Sequence, residues 1–147
     1  MSLEQTLVEA GKDFTVLPCE YHKLGEREQD YFTRLQAYQA PWLAERILGQ
    51  GVSAAEFAGA FNEFKRYAAL LTISDQLLGM VSKKVDSVWH EFILFTRDYM
   101  TFCDEFHGKY IHHQPYTSYH KGDQKADERF FRWYRRVYGD LPEIWRH

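Results

Sequence analysis

The chain has 147 residues and a mass of 17.5 kDa, enough for one domain with a full core and too short for two ordinary ones. Its 11 Phe, 10 Tyr and 4 Trp argue against disorder and make ring packing the main source of buried area. A net charge of -3, from 18 basic and 21 acidic residues, supplies no overall pull toward nucleic acid or an anionic membrane.

In chain order, the opening MSLEQTLVEAGKDF lacks the basic flank and apolar run of a signal peptide, and no later stretch has the apolar length of a membrane span, so a cytoplasmic protein is expected. Cys19 and Cys103 are then two reduced thiols rather than a disulfide, and too few for a four-cysteine zinc site. Residues 1–40 read as a lead-in with short helices, and 41–147 as the main helical part of one structural domain. Tyr31, Leu35 and Tyr38 fall at helical spacing between Glu26 and Gln39, and WLAERILGQG after Pro41 ends in the stop signals Gly49 and Gly51. Ser53 with Glu56 forms a capping box, from which Phe57, Phe61, Phe64, Ala68 and Leu71 run down one helix face. After the loop TISDQLLGM, Ser82 caps a long central helix whose stripe of Val85, Trp89, Phe92, Thr96, Tyr99, Cys103 and Phe106 continues to Gly108. KYIHHQPYTSYHKGD reads as a histidine-bearing loop, and a last helix spans about Lys125 to Tyr138. No strand pattern persists, so the expected class is all-α, with the Ser53–Leu71 and Ser82–His107 helices packed together.

The stretch VDSVWHEFIL places Asp86 and His90 one turn apart, on a line with Ile93 and Arg97 that lies well away from the aromatic stripe. A carboxylate so placed can orient an imidazole and raise its basicity. HEFIL is not a zinc protease motif, because Leu94 stands where H-E-x-x-H needs its second histidine. The second histidine comes instead from the pair His112 and His113, which the Gly108 break can fold back onto the helix. Asp86, His90 and one of the pair would suit a divalent metal with open positions, such as zinc, iron or manganese. Read blandly, the same residues are an exposed ion pair and ordinary loop histidines. Cys103, on the aromatic stripe, reads as a small buried apolar residue. The weaker features are Cys19 with His22, His107 before the helix-ending glycine, and His120 in the loop. Lys125, Arg129, Arg132 and Arg136 form a basic stripe that Asp123, Asp127 and Glu128 dilute, so it reads as a solvated face.

VDSVWHEFILFTRDYMTFCDEFHGKYIHHQP resembles the signature block of the glycine-rich domain-containing protein-like family, with its V-D-x-x-W-H start, T-x-x-Y-x-x-x-C middle and G-x-x-x-H-H-x-P end. NEFKRYAAL upstream resembles that family's E-x-x-R-F segment, and FFRWYRRVYGDLPEIW downstream its Y-x-x-x-F-G-x-x-P-x-x-W ending, so that residues 41–145 are covered. The resemblance implies a shared site in which Asp86, Trp89, His90, Tyr99, Cys103, His112, His113 and Pro115 hold motif positions. Glu91 and Phe92 depart from a pattern in which a second histidine follows, and no glycine-rich tail is present. Two functions follow as expectations. One is a metal- or polar-ligand-binding site of Asp86, His90 and the His112/His113 loop, able to carry catalysis, with Arg97 beside it. The other is a non-catalytic module for a protein partner, in which these residues form a structural hydrogen-bond network.

Overall fold

The computed structural model describes residues 25–114 and 123–146. Within them lie six α-helices and no strand: α1 (Glu26–Ala37), α2 (Pro41–Gly49), α3 (Ala54–Ser74), α4 (Lys83–Leu94), α5 (Thr96–Phe106) and α6 (Gln124–Tyr138), followed by a 3₁₀ turn at Glu143–Trp145. The class is all-α, as the helical periodicities predict.

Local chemistry sets the ends. Pro41 opens α2, where its missing N–H costs nothing and its φ suits the first turn. Ser53 Oγ accepts the Glu56 N–H at 3.1 Å, Ser82 Oγ the Val85 N–H at 3.2 Å, and Asp123 Oδ1 the Lys125 N–H at 2.9 Å, each satisfying a backbone donor that the helix cannot. The end of α3 is closed by Asp75 in the left-handed region, φ 49°, with its N–H on the Leu71 carbonyl. Gly79, in the loop after α3, lets α6 approach closely: a Cβ there would lie 3.0 Å from the Asp127 Cα, backbone that cannot rotate away as the Asp127 carboxylate can.

The expected long helix from Ser82 to His107 is broken. Phe95, at φ -87° and ψ 70°, leaves helical space and turns its N–H to the Phe92 carbonyl, separating α4 from α5. Neither proline nor glycine marks the bend; ring packing explains it. Seven residues along a straight helix advance about 10.5 Å, whereas the bend brings the Phe92 and Tyr99 rings to 5.1 Å and the Phe92 and Phe102 rings to 5.3 Å, all three side chains fully buried. Thr96 consequently leaves the buried stripe and is exposed.

The helix at the centre is therefore α3. It buries side chains on several faces, including Phe64, Tyr67, Ala69 and Leu70, and packs most extensively on α4, with α1, α2, α5 and α6 around it. Two charged residues are buried with it. Lys65 Nζ donates to the Gln36 and Tyr38 carbonyls at 2.6 and 3.3 Å, capping the end of α1 as a cation suits a helix C-terminus. Tyr31 OH reaches across to the Phe106 carbonyl at 2.8 Å, so α1 contributes Tyr31, Phe32 and Leu35 to the common core. No described helix is long and apolar enough to cross a membrane.

Candidate functional site

Gly108, at φ 81°, ends α5 and sends the chain back toward α4 in an irregular segment. Three side chains hold that segment. Trp89 Nε1–H donates to Tyr99 OH at 2.9 Å, Tyr99 OH donates to the Ile111 carbonyl at 2.5 Å, and Cys103 Sγ accepts the Ile111 N–H at 3.4 Å. Burial pushes both the Tyr99 hydroxyl and the Cys103 thiol up from their ordinary pKa values, so both stay protonated in the neutral range and serve as anchors. Ile111 is buried, the His113 side chain beyond it is largely buried, and His112 between them is exposed.

His113 Nε2 lies 2.7 Å from Asp86 Oδ1, and its ring meets Trp89 edge-on at 4.6 Å and His90 at 5.6 Å. The partner of Asp86 is thus His113, not His90 as the one-turn spacing suggests. His90 stands exposed on α4 with its ring against His113, and His112, also exposed, packs on the Tyr110 ring at 4.8 Å. Arg97 lies beyond the Phe95 bend on α5, exposed and off the Asp86–His90 line. Pro115, His120, Cys19 and His22 lie outside the described residues. His107 Nδ1 meets Thr72 Oγ1 at 2.8 Å, and burial, then the neighbouring Lys109, lower its pKa.

Two depressions flank α4. On the α2 side a groove of about 620 Å³ is floored by Ile47, Val52, Ala60 and Val88; on the loop side one of about 440 Å³ is lined by Tyr67, Leu78, Met80, Trp89, His112 and His113. Asp86 borders both. The ligand set expected for zinc, iron or manganese is not assembled: among the described residues no three His, Cys, Asp or Glu side chains converge as a metal centre requires. His113 takes up Asp86, while the His112 ring packs on Tyr110 instead.

A second polar centre has Glu63 at its middle, which sequence reasoning noticed only inside the E-x-x-R-F resemblance. Glu63 Oε1 accepts Tyr134 OH at 2.5 Å and Trp145 Nε1–H at 2.7 Å, while Arg66 Nη1 lies 3.4 Å from Oε2 and donates to Tyr134 OH at 2.9 Å. Burial raises the pKa of the Tyr134 hydroxyl, and so does its bond to Glu63. Arg129, from the predicted basic stripe, is spent structurally on the Leu77 carbonyl and Asp123.

Nothing among curated proteins or solved structures matches this sequence. The UCP032817-like family matches residues 34–138, and this replaces the glycine-rich domain-containing family suggested by the Val85–Pro115 block. In this chain Trp89, Tyr99 and Cys103 of that block hold the segment at Ile111 against α4 and α5, so part of the block serves packing. With most of its length covered, from α1 through α6, the chain belongs to the UCP032817-like family.

Proposed function

We propose that the chain binds a small polar ligand at the Asp86–His113 pair, on the loop side of α4. The observation that carries this reading is the 2.7 Å bond between a half-exposed carboxylate and a largely buried imidazole, at the border of two depressions. The irregular segment is already held by Trp89, Tyr99 and Cys103, and a partly exposed pair adds little stability. Its effect is on orientation. A carboxylate only accepts, so Nε2 of His113 is the donor in this bond, and in the neutral ring Nδ1 is the acceptor left for a ligand N–H or O–H. Asp86 would also stabilise the imidazolium formed if His113 took the ligand's proton, which is the catalytic form of the same reading. A purely structural network, the alternative, is better represented by Glu63 than by Asp86.

Nitrogen-15 NMR of the imidazoles tests the tautomer: wild type should show His113 protonated at Nε2, and Asp86→Ala should lose that bias. Titration with small amides, alcohols and acids should then shift His113 and Trp89 resonances saturably in wild type and not in His113→Gln. Shifts that survive His113→Gln, or the absence of saturable shifts from every probe, would remove the reading.

A further inference from the structure

Extending the polar-ligand reading and resting on it, we propose that the ligand of the Asp86–His113 pair is a neutral molecule with one O–H or N–H head and an apolar body, the chemistry of a medium-chain alcohol. His113 takes the head, and the depression beside it takes the body. Among the described residues, that depression of about 440 Å³ is lined on its apolar side by Leu77, Leu78, Met80 and Val81, in the loop between α3 and α4. The volume lies in the range of pockets that enclose small molecules.

The loop is pinned, yet it shows apolar surface. Tyr67 OH and Arg129 Nε donate to the Leu78 and Leu77 carbonyls at 2.7 and 2.9 Å, and the Gly79 N–H donates to the Ala126 carbonyl at 3.0 Å. So held, the loop leaves the Leu77 side chain 59% exposed, with Met80 and Val81 half-buried on the same depression. A single exposed leucine is ordinary. Several apolar side chains on one depression, next to an oriented imidazole, reward a ligand that covers them with methylene groups, and the flexible Met80 thioether adapts to its shape. The two ring walls direct their donors elsewhere, Trp89 Nε1–H to Tyr99 and Tyr67 O–H to Leu78, so what they add is carbon surface. Charge does not select an ion. With its imidazoles neutral, the described lining carries one cation, Lys83, and one carboxylate, Asp86. An acid meets Asp86 and an amine meets Lys83, whereas a neutral head meets neither penalty.

The test titrates the full chain with hexanol, its isomer methyl pentyl ether, ethanol, hexanoate and hexylammonium, read on the Leu77 and Met80 methyls and the His113 ring nitrogens. Hexanol should shift all three residues saturably. Ethanol should bind about tenfold more weakly or worse because its chain is shorter, and so should the ether, which has no donor for His113. Both ions should bind more weakly than hexanol. Leu77→Ser should weaken hexanol about fivefold or more. It should leave His113 protonated at Nε2, because Arg129 bonds the Leu77 carbonyl and not its side chain. Ethanol binding as tightly as hexanol, with His113→Gln abolishing both, would overturn the apolar body and leave the polar-ligand reading standing. Tighter binding of either ion, or an unchanged hexanol affinity in Leu77→Ser, would do the same. Ether binding equal to that of hexanol, or no saturable His113 shift with any probe, would remove both. Leu77 and Met80 shifts that follow protein concentration alone would give the apolar surface to a second copy of this chain and so overturn the proposal.

Discussion

Glu63 and Asp86 are both helical carboxylates with aromatic neighbours, yet their surroundings are opposite. Glu63 is 6% exposed and satisfied by Tyr134, Trp145 and Arg66, drawn from α3, α6 and the closing 3₁₀ turn. The Asp86 side chain is 44% exposed and has one bonded partner, His113. A buried carboxylate with every donor matched is tied to the fold, because losing it strands the donors as well. A half-exposed carboxylate on one imidazole can exchange that bond for water at small cost, which leaves the pair available to a ligand.

The largest effect should come from Glu63→Ala, which leaves Tyr134, Trp145 and Arg66 without their acceptor and should cost about 3–5 kcal/mol in urea denaturation. A loss under about 1 kcal/mol would erase the contrast with Asp86. Phe92→Ala should cost a similar 3–5 kcal/mol through the cavity left at the α4–α5 bend, which calibrates the polar loss against a packing loss. Tyr99→Phe removes the hydroxyl that links Trp89 to Ile111, and an expected cost of about 1–3 kcal/mol should be accompanied by faster hydrogen exchange over residues 111–113.

At the Asp86 centre the effects shrink. A double-mutant cycle between Asp86→Ala and His113→Ala should give coupling of roughly 0.5–1 kcal/mol, and the cycle between Asp86→Ala and His90→Ala a value near zero. Equal coupling to both histidines would mean that the one-turn spacing, rather than the loop, selects the partner. The smallest effect is expected at His107, whose burial against Thr72 lowers its pKa. Below the ordinary histidine pKa the unfolded chain binds the proton more readily than the folded one. Stability is therefore full above that pKa, falls as pH drops from it, and levels off below the folded pKa. Urea denaturation of wild type and His107→Gln between pH 7.5 and 5 should show a shallower acid loss in the variant.

What was legible in the sequence is what local chemistry and periodicity encode. Ser53, Ser82 and Gly108 mark helix ends because capping and the left-handed turn involve residues only a few positions apart. The stripes from Phe61 to Ala68 and from Val85 to Phe92 follow from side-chain direction along a helix, and they announced the α3–α4 packing. Asp86 could be seen to leave the aromatic face, and His112 with His113 to follow a helix stop, which pointed to a meeting of Asp86 with the loop.

Tertiary structure decided the rest, wherever two local options differ little in energy and a distant contact chooses. Phe95 has no backbone preference that breaks a helix; the bend follows from the burial of Phe92, Tyr99 and Phe102 against one another. Either His90 or a loop histidine could meet Asp86, and the anchoring of Ile111 by Tyr99 and Cys103 turned His113 inward. Glu63 looks like any helical glutamate until Tyr134 and Trp145, 71 and 82 residues away, bury it and supply its donors. Helical spacing reports only which side of a helix a residue occupies, while the solvation of a charge depends on what the whole chain packs against that side.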